Sequence, residues 1–244
     1  MDKVRVSRGL PQRFPDTNPS DPRGGAYGEV MVVKLYGDKH VLADEGSYFV
    51  GTNPAPYTPI ALTTSIVTFA ETAGAVGVAM LLKNLEARSE RAKRLYLDYI
   101  KLMIVGTFTT GTSLQFAMVI DDNPVRYTSG GSAIVPVNPN GDVGISSIAQ
   151  LYFGALTTAI PNNKRLVARG TLRGVIPTTF DEYTIVSGGK EGGSGFSSAA
   201  ASGKSVNHCP PIILGSQQNL ALTLWSAACN AAATLEFEMG WWER

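Results

Sequence analysis

The chain has 244 residues, a length that one all-β domain commonly fills, and 21 Lys and Arg against 20 Asp and Glu give it a formal charge of +1. So balanced a chain has no overall field to draw it to nucleic acid or to an anionic membrane, and neither is expected as a partner. Its 26 Gly and 14 Pro favour frequent turns and short strands over long helices.

Residues 1–45 read as an extended N-terminal arm. Arg5, Arg8, Arg13 and Arg23 accompany the stretch LPQRFPDTNPSDPRGG, in which Pro11, Pro15, Pro19 and Pro22 forbid helix and discourage a central strand. Such a segment has too few apolar groups to offset its own ordering entropy. It either stays disordered or takes order from a neighbouring surface, and an arm that grips a partner or a sister subunit is the preferred reading. EVMVVKLYG within it has the composition to add a strand. The opening MDKVRVSRGLPQRFPD lacks an apolar core of signal-peptide length, which points to a chain that stays in the cytosol at synthesis.

From residue 46 to 244 the pattern is that of a single β-sandwich domain. SYFVG is a strand, and the Pro-rich NPAPYTP follows it. IALTTSIVTFAET fits neither period and reads as a short helix or irregular structure; the apolar run that it opens is broken by Glu71 and by glycines and fails as a membrane span. VAMLLKN is a strand, and LEARSERAK a solvated bend. RLYLDYIKLMIVGTF is a long strand with Leu95, Leu97 and Tyr99 on one face and Tyr96, Ile100, Leu102 and Ile104 on the other, so both faces are expected to be covered, the outer one by a loop or another subunit. SLQFAMVID alternates cleanly and ends at the turn DDNP. SIAQLYFGALTTAI satisfies helical spacing but has strand composition, and is assigned to strand. RLVARGTLRGVIP places Leu166, Ala168, Leu172 and Ile176 inward and Val167, Arg169, Thr171 and Arg173 outward, with the arginines solvated. EYTIVSGG, PPIILG, NLALTLWSA and TLEFEMGWW complete the strands, and the Gly/Ser/Ala-rich loop GGKEGGSGFSSAAASGKS after the first of them reads as flexible or ordered by a partner. In LEFEMGWWER, Leu235, Phe237, Met239 and Trp241 alternate with Glu236, Glu238 and Trp242, the mark of a half-buried strand running almost to the last residue. Trp242 then points outward, as a contact residue or packed under a loop of its own subunit.

These runs amount to about eight core strands, without helices of βαβ rhythm and without a repeat at fixed period. The fold class expected is all-β, an antiparallel two-sheet sandwich of jelly-roll type with an extended N-terminal arm.

The chemistry-bearing residues form no familiar constellation. The GKS at 203–205 lacks the first glycine of a P-loop and a helix after it, and the Gly-rich GGKEGGSGF is no dinucleotide fingerprint. His208 and Cys209, with His40 and Cys229, make up the His/Cys inventory in spacings that match no zinc site. Cys209 and Cys229 read as reduced, buried thiols. Asp121 and Asp122 are the one carboxylate pair at a strand end, and DDNP is also ordinary turn chemistry. With neither His near a nucleophile elbow, no catalytic residue, cofactor or metal is assigned.

Four stretches, GSYFVGTNPAP, KRLYLDYIKL, HCPPIILGSQQNLALTLW and the ending EFEMGWWER, together resemble structural virion proteins of tailed bacteriophages, and within that group the jelly-roll decoration or cement proteins of the head. The resemblance covers roughly residues 45–244. It implies a protein without enzymatic activity that is present in many copies, assembles in the host cytoplasm, resides on the capsid surface of the virion, and has the major capsid protein as partner. Arg5, Arg8, Arg13, Phe14, Tyr27 and Trp242 are the candidate contacts to capsid or sister subunit. Self-association is expected, a homotrimer ahead of a homodimer, from the surplus of apolar surface on RLYLDYIKLMIV and the outward Trp242. The competing reading is a tail or head-fibre component that recognises a host glycan, with Trp225, Trp242 and Tyr96 as stacking platforms; an enzyme using Asp121 or Asp122 is the third.

Overall fold

The computed structural model describes residues 38–53, 58–61, 78–106, 113–123, 125–141, 144–158, 165–188, 204–225 and 234–244. The chain divides into two compact units, Met1–Val41 and Leu42–Arg244. Of the first, only residues 38–41 are described. The elements in order are α1 (Asp38–Asp44), β1 (Tyr48–Thr52), β2 (Ile60–Ala61), β3 (Val78–Asn84), β4 (Leu95–Ile104), β5 (Leu114–Asp121), β6 (Tyr127–Ile134), β7 (Ala149–Thr158), β8 (Arg165–Arg173), β9 (Glu182–Ser187), β10 (Lys204–Cys209), β11 (Ile213–Leu214), β12 (Asn219–Trp225) and β13 (Thr234–Glu243).

The second unit is an all-β sandwich of two sheets. One runs β1-β13-β4-β9-β10, with β2 beside β13 and β11 beside β4; the other runs β6-β7-β3-β12-β5-β8. Every pairing is antiparallel except that of β9 with β10, which is parallel. Pairing is nested: β1 with β13, β3 with β12, β4 with β9, and β5 with β8. The β6–β7 hairpin lies beside β3.

Between the sheets lies a single apolar core. Phe237 of β13 stacks on Phe153 of β7 with centroids 4.0 Å apart, and Trp241 packs on Phe49 at 6.3 Å. Leu235, Phe237, Met239 and Trp241 all face this core, as their alternation requires. The last strand is held at its end as well: Arg94 and Arg244 exchange both backbone hydrogen bonds, and the Glu243 amide donates to Ser47 O at 2.9 Å. The buried Glu243 carboxylate accepts from the Ser147 hydroxyl, the Ile148 amide and Trp241 Nε1, tying the segment before β7 to β13.

Several expectations are corrected. In β4 the two faces are not Leu95/Leu97/Tyr99 and Tyr96/Ile100/Leu102/Ile104. Leu97 stands opposite Trp241 and Tyr99 opposite Gly240, so Asp98 is an extra residue, a β-bulge. The bulge switches the phase, and Leu95, Leu97, Ile100, Leu102 and Ile104 all reach the same core. Of the apolar residues that argued for association, the aliphatic ones of β4 thus face the core, while Tyr96 and Trp242 stay on the outer face. Burial on both faces belongs instead to the second sheet, where Val78, Leu81, Tyr152, Leu156 and Ala221 form a separate buried cluster.

Two bulges in β8 break its alternation likewise: Leu166 and, beyond the strand, Ile176 are exposed although both were assigned inward, while Leu172 is buried as expected. Arg173, assigned to solvent, pairs with the buried Asp181. Residues 38–44, read as the end of an extended arm, form a helix that stops at Gly46, whose φ of 75° suits the left-handed C-terminal cap. Its amide donates to Ala43 O at 3.0 Å. YTSGGSAI, not read as a strand at all, is β6. Most of IALTTSIVTFAET, most of the Gly/Ser/Ala-rich loop and all of EVMVVKLYG lie outside the described residues; the end of that loop, Lys204 and Ser205, begins β10.

Candidate functional site

Because side chains alternate along a strand, the face of the first sheet turned away from the core is assembled from every second residue of five strands. β13 contributes Glu236, Glu238, Gly240 and Trp242; β4 contributes Tyr96, Tyr99, Lys101 and Met103; β1 adds Tyr48, β9 adds Glu182 and Thr184, and β10 adds Val206 and His208. The register places these in rows. Trp242 pairs with Tyr48 on one side and Tyr96 on the other, and its ring lies parallel to that of Tyr96 with centroids 5.5 Å apart. This is an aromatic end.

One row further, the Tyr48 hydroxyl donates to Asp98 Oδ2 at 2.7 Å, and the Tyr99 hydroxyl donates to Glu238. Burial first, and the acceptor carboxylate second, hold both phenols well above their ordinary titration range, so both stay protonated and donate to these carboxylates. At the other end, Lys101 Nζ lies 3.0 Å from Glu182 Oε1. Lys101, Met103, Glu182, Glu236, Phe237 and Glu238 line a furrow of about 110 Å³. Among the described residues three carboxylates and one ammonium line the furrow, and Lys204 of β10 stands opposite Glu182 in the register.

The remaining candidates fall elsewhere. Asp121 is fully buried: Oδ1 accepts from the Asn123 amide at 2.9 Å and from Asn219 Nδ2 at 3.3 Å, and Oδ2 faces Arg126 Nε at 3.4 Å. Burial pushes the Arg126 guanidinium down while Asp121 draws it back up. Asp122, by contrast, is partly exposed, bonded by Gln218 Nε2 at 2.8 Å and 3.7 Å from Arg165 Nη2. The two carboxylates therefore point into separate environments, one locking the strand end and one at the surface.

His208 lies on the outer face, whereas Cys209 faces the core as a buried free thiol pushed up to about 11 by burial. Among the described residues, no three His, Cys, Asp or Glu come together in a way that would hold a metal. Lys204 and Ser205 of GKS begin β10, a strand rather than a helix. No described helix is long and apolar enough to cross a membrane.

Of the residues singled out as contacts, Arg5, Arg8, Arg13, Phe14 and Tyr27 lie outside the described residues. Trp242 is on the outer face, half-buried and stacked on Tyr96 of its own chain. Trp225 ends β12 in the other sheet and packs against the core, so it shares no surface with the Tyr96–Trp242 pair. The sequence reading missed Tyr48, Tyr99, Lys101 and Glu182. Glu236 and Glu238 were legible as outward, but the bulge at Asp98 hid that Tyr99 and Lys101 share their face.

Comparisons with protein-family models, with curated proteins and with solved structures find no match.

Proposed function

We propose that this chain is a non-enzymatic virion structural protein, a capsid cement or decoration protein that binds the outside of a major capsid shell, and that its sandwich is a jelly roll. The nested pairing of β1/β13, β3/β12, β4/β9 and β5/β8 is the single observation that carries the reading. Rolled eight-stranded sandwiches of this kind recur in viral capsid and lectin domains. The aromatic end of the outer face supports the same reading, because Tyr and Trp are enriched where proteins meet. Its phenols serve as fixed hydrogen-bond donors. Stabilisation of the shell would come from many copies, each adding interface area between neighbouring capsid subunits.

The test is imaging of assembled particles with the full chain labelled. Density on the faces of the capsid is the expected result. Label confined to the tail or to fibres, or absent from the particle, overturns the proposal.

A second reading, recognition of a host glycan by a tail or head-fibre component, is favoured by one observation, the parallel Tyr96 and Trp242 rings on an outer sheet face. Glycan-array binding that is lost in Trp242→Ala would establish it.

A further inference from the structure

An asparagine followed by glycine is a chemically reactive pair. Glycine has no Cβ to shield its own amide nitrogen or to restrict the approach of that nitrogen to the side chain before it. Asn140 is the asparagine of this chain that precedes a glycine, Gly141.

The structure sets it apart from the other described asparagines. Asn53, Asn123 and Asn138 each precede a proline, whose nitrogen carries no hydrogen to give up and is no nucleophile towards the side-chain carbonyl. Asn84 and Asn219 are fully buried, with Nδ2 donating to Lys93 O at 2.9 Å and to Asp121 Oδ1 at 3.3 Å respectively. Asn207 lies within β10, its Nδ2 donates to Ser205 Oγ at 3.2 Å, and it precedes the bulkier His208. Asn140 is half-buried in a turn beyond β6, and Gly141 after it is exposed. Chain neighbours aside, a Cβ on Gly141 would meet no atom within 4 Å, so open space surrounds the backbone there.

We infer that Asn140 is a self-modifying site, at which the chain deamidates through its own backbone. The Gly141 nitrogen gives up its proton and attacks Asn140 Cγ. As the new N–Cγ bond closes a succinimide ring, the Cγ–Nδ2 bond breaks and Nδ2 leaves as ammonia, carrying the proton with it. Solvent water then opens the ring. Addition at Cγ restores the backbone with aspartate at position 140, whereas addition at the main-chain carbonyl leaves Gly141 joined through Cγ, an isoaspartate. No electrons are exchanged, and water is the only co-reactant.

Either product puts a carboxylate where a neutral amide stood, which takes the formal charge of the chain from +1 to 0. The change stays local, because the turn is anchored before it: Val137 and Val50 exchange both backbone hydrogen bonds at 2.8 Å, and Asn138 Oδ1 accepts from the Asn140 amide at 2.8 Å. Val135 and Val137, 80% and 61% exposed, lie on the same segment, so the new charge arrives beside apolar surface. A contact made by this edge of the sandwich therefore changes with the age of the protein. The inference does not rest on the cement reading, and the purified chain tests it without any capsid.

The full-length protein is aged at mildly alkaline pH and physiological temperature and followed by intact mass and peptide fragmentation. A gain equal to the exchange of –NH2 for –OH, assigned to residue 140, is expected, and the aged chain should accept a methyl group from an isoaspartyl methyltransferase. Gly141→Ala should slow the gain at least about tenfold by shielding the attacking nitrogen. Its thermal midpoint should match the wild type, since the new methyl enters open space and Gly141 is not in the left-handed region. Asn140→Asp, which carries the charge from the start, should fold normally and accept the methyl group more slowly than the aged wild-type chain. A mass that stays constant, a gain assigned to a different asparagine, or a Gly141→Ala variant that ages as fast as the wild type overturns the inference.

Discussion

Tyr48 reaches over an intervening strand to Asp98: its hydroxyl, on β1, donates at 2.7 Å to a carboxylate on β4, with β13 lying between them. The bridge is possible because β13 has Gly240 at the crossing, where a Cβ would overlap the Tyr48 hydroxyl and the Tyr99 ring. Asp98 is available for it because the bulge leaves it without a partner position on β13. One bulge thus sets both the core phase of β4 and the polar pattern of the outer face.

Gly240→Ala should therefore destabilise the sandwich by about 1–3 kcal/mol, the usual cost of overpacking. Urea denaturation measures it. Adding Tyr48→Phe, which removes the hydroxyl nearest the new methyl, should return part of the loss; a double variant at least as unstable as the sum of the two single changes would contradict this account.

The two terminal tryptophans should behave unequally. Trp241 is fully buried against Phe49, so Trp241→Ala is expected to cost about 3–5 kcal/mol. Trp242 is half-buried and stacked on Tyr96, and Trp242→Ala should remove about 0.5–1.5 kcal/mol beyond its lost area while altering contacts of the outer face. Equal falls in thermal midpoint would refute the division.

Alkaline pH should unfold the protein at the groups that burial keeps protonated. Cys209 rises from 9.0 to about 11 and Tyr183 from 10.0 to about 12, both chiefly by burial, and Tyr48 and Tyr99 shift the same way. Above pH 9 the unfolded chain ionises these groups first and so binds fewer protons than the folded one, which lowers stability as pH rises. Their contribution is complete below pH 9 and is lost across pH 9–11 for Cys209 and 10–12 for Tyr183. Each group costs on the order of 1 kcal/mol per pH unit within its window. Denaturation midpoints that stay level from pH 9 to 11 would contradict this.

Phe180 occupies the left-handed region at φ 68° and is 71% exposed, in a turn whose backbone is fixed by its own amide donating to Ile104 O at 2.7 Å. Asp181 holds the same turn, accepting from the Thr178 amide and hydroxyl and from the Tyr183 hydroxyl, and pairing with Arg173. Phe180→Gly relieves about 1–2 kcal/mol of left-handed strain and costs about 0.5–1 kcal/mol in chain entropy. The thermal midpoint should therefore hold or rise. Asp181→Ala, which strands the Arg173 charge, should instead lower stability by about 3–5 kcal/mol. A marked fall in Phe180→Gly would show that the ring packs rather than merely protrudes.

The sequence by itself determined those strands whose side-chain direction is purely local. In β5, Leu114, Phe116, Met118 and Ile120 reach the core as their spacing demands, and in β13 Leu235, Phe237, Met239 and Trp241 do the same, because alternation follows from the geometry of an extended chain alone. The absence of βαβ rhythm likewise sufficed for the sandwich class. The faces of β4 and β8 were decided only by the neighbouring strand: a bulge exists where two residues oppose one, and a single inserted residue exchanges inside for outside along the rest of the strand. β6 escaped notice because its residues face water almost throughout, so it needs no apolar pattern, and its Gly130 and Gly131 at positive φ read as a turn. The separation of Asp121 from Asp122, and the meeting of Tyr48 with Asp98, bring together residues distant in the chain or part adjacent ones. Such contacts depend on which strands pair and in what register, and those follow from packing two whole sheets on one core.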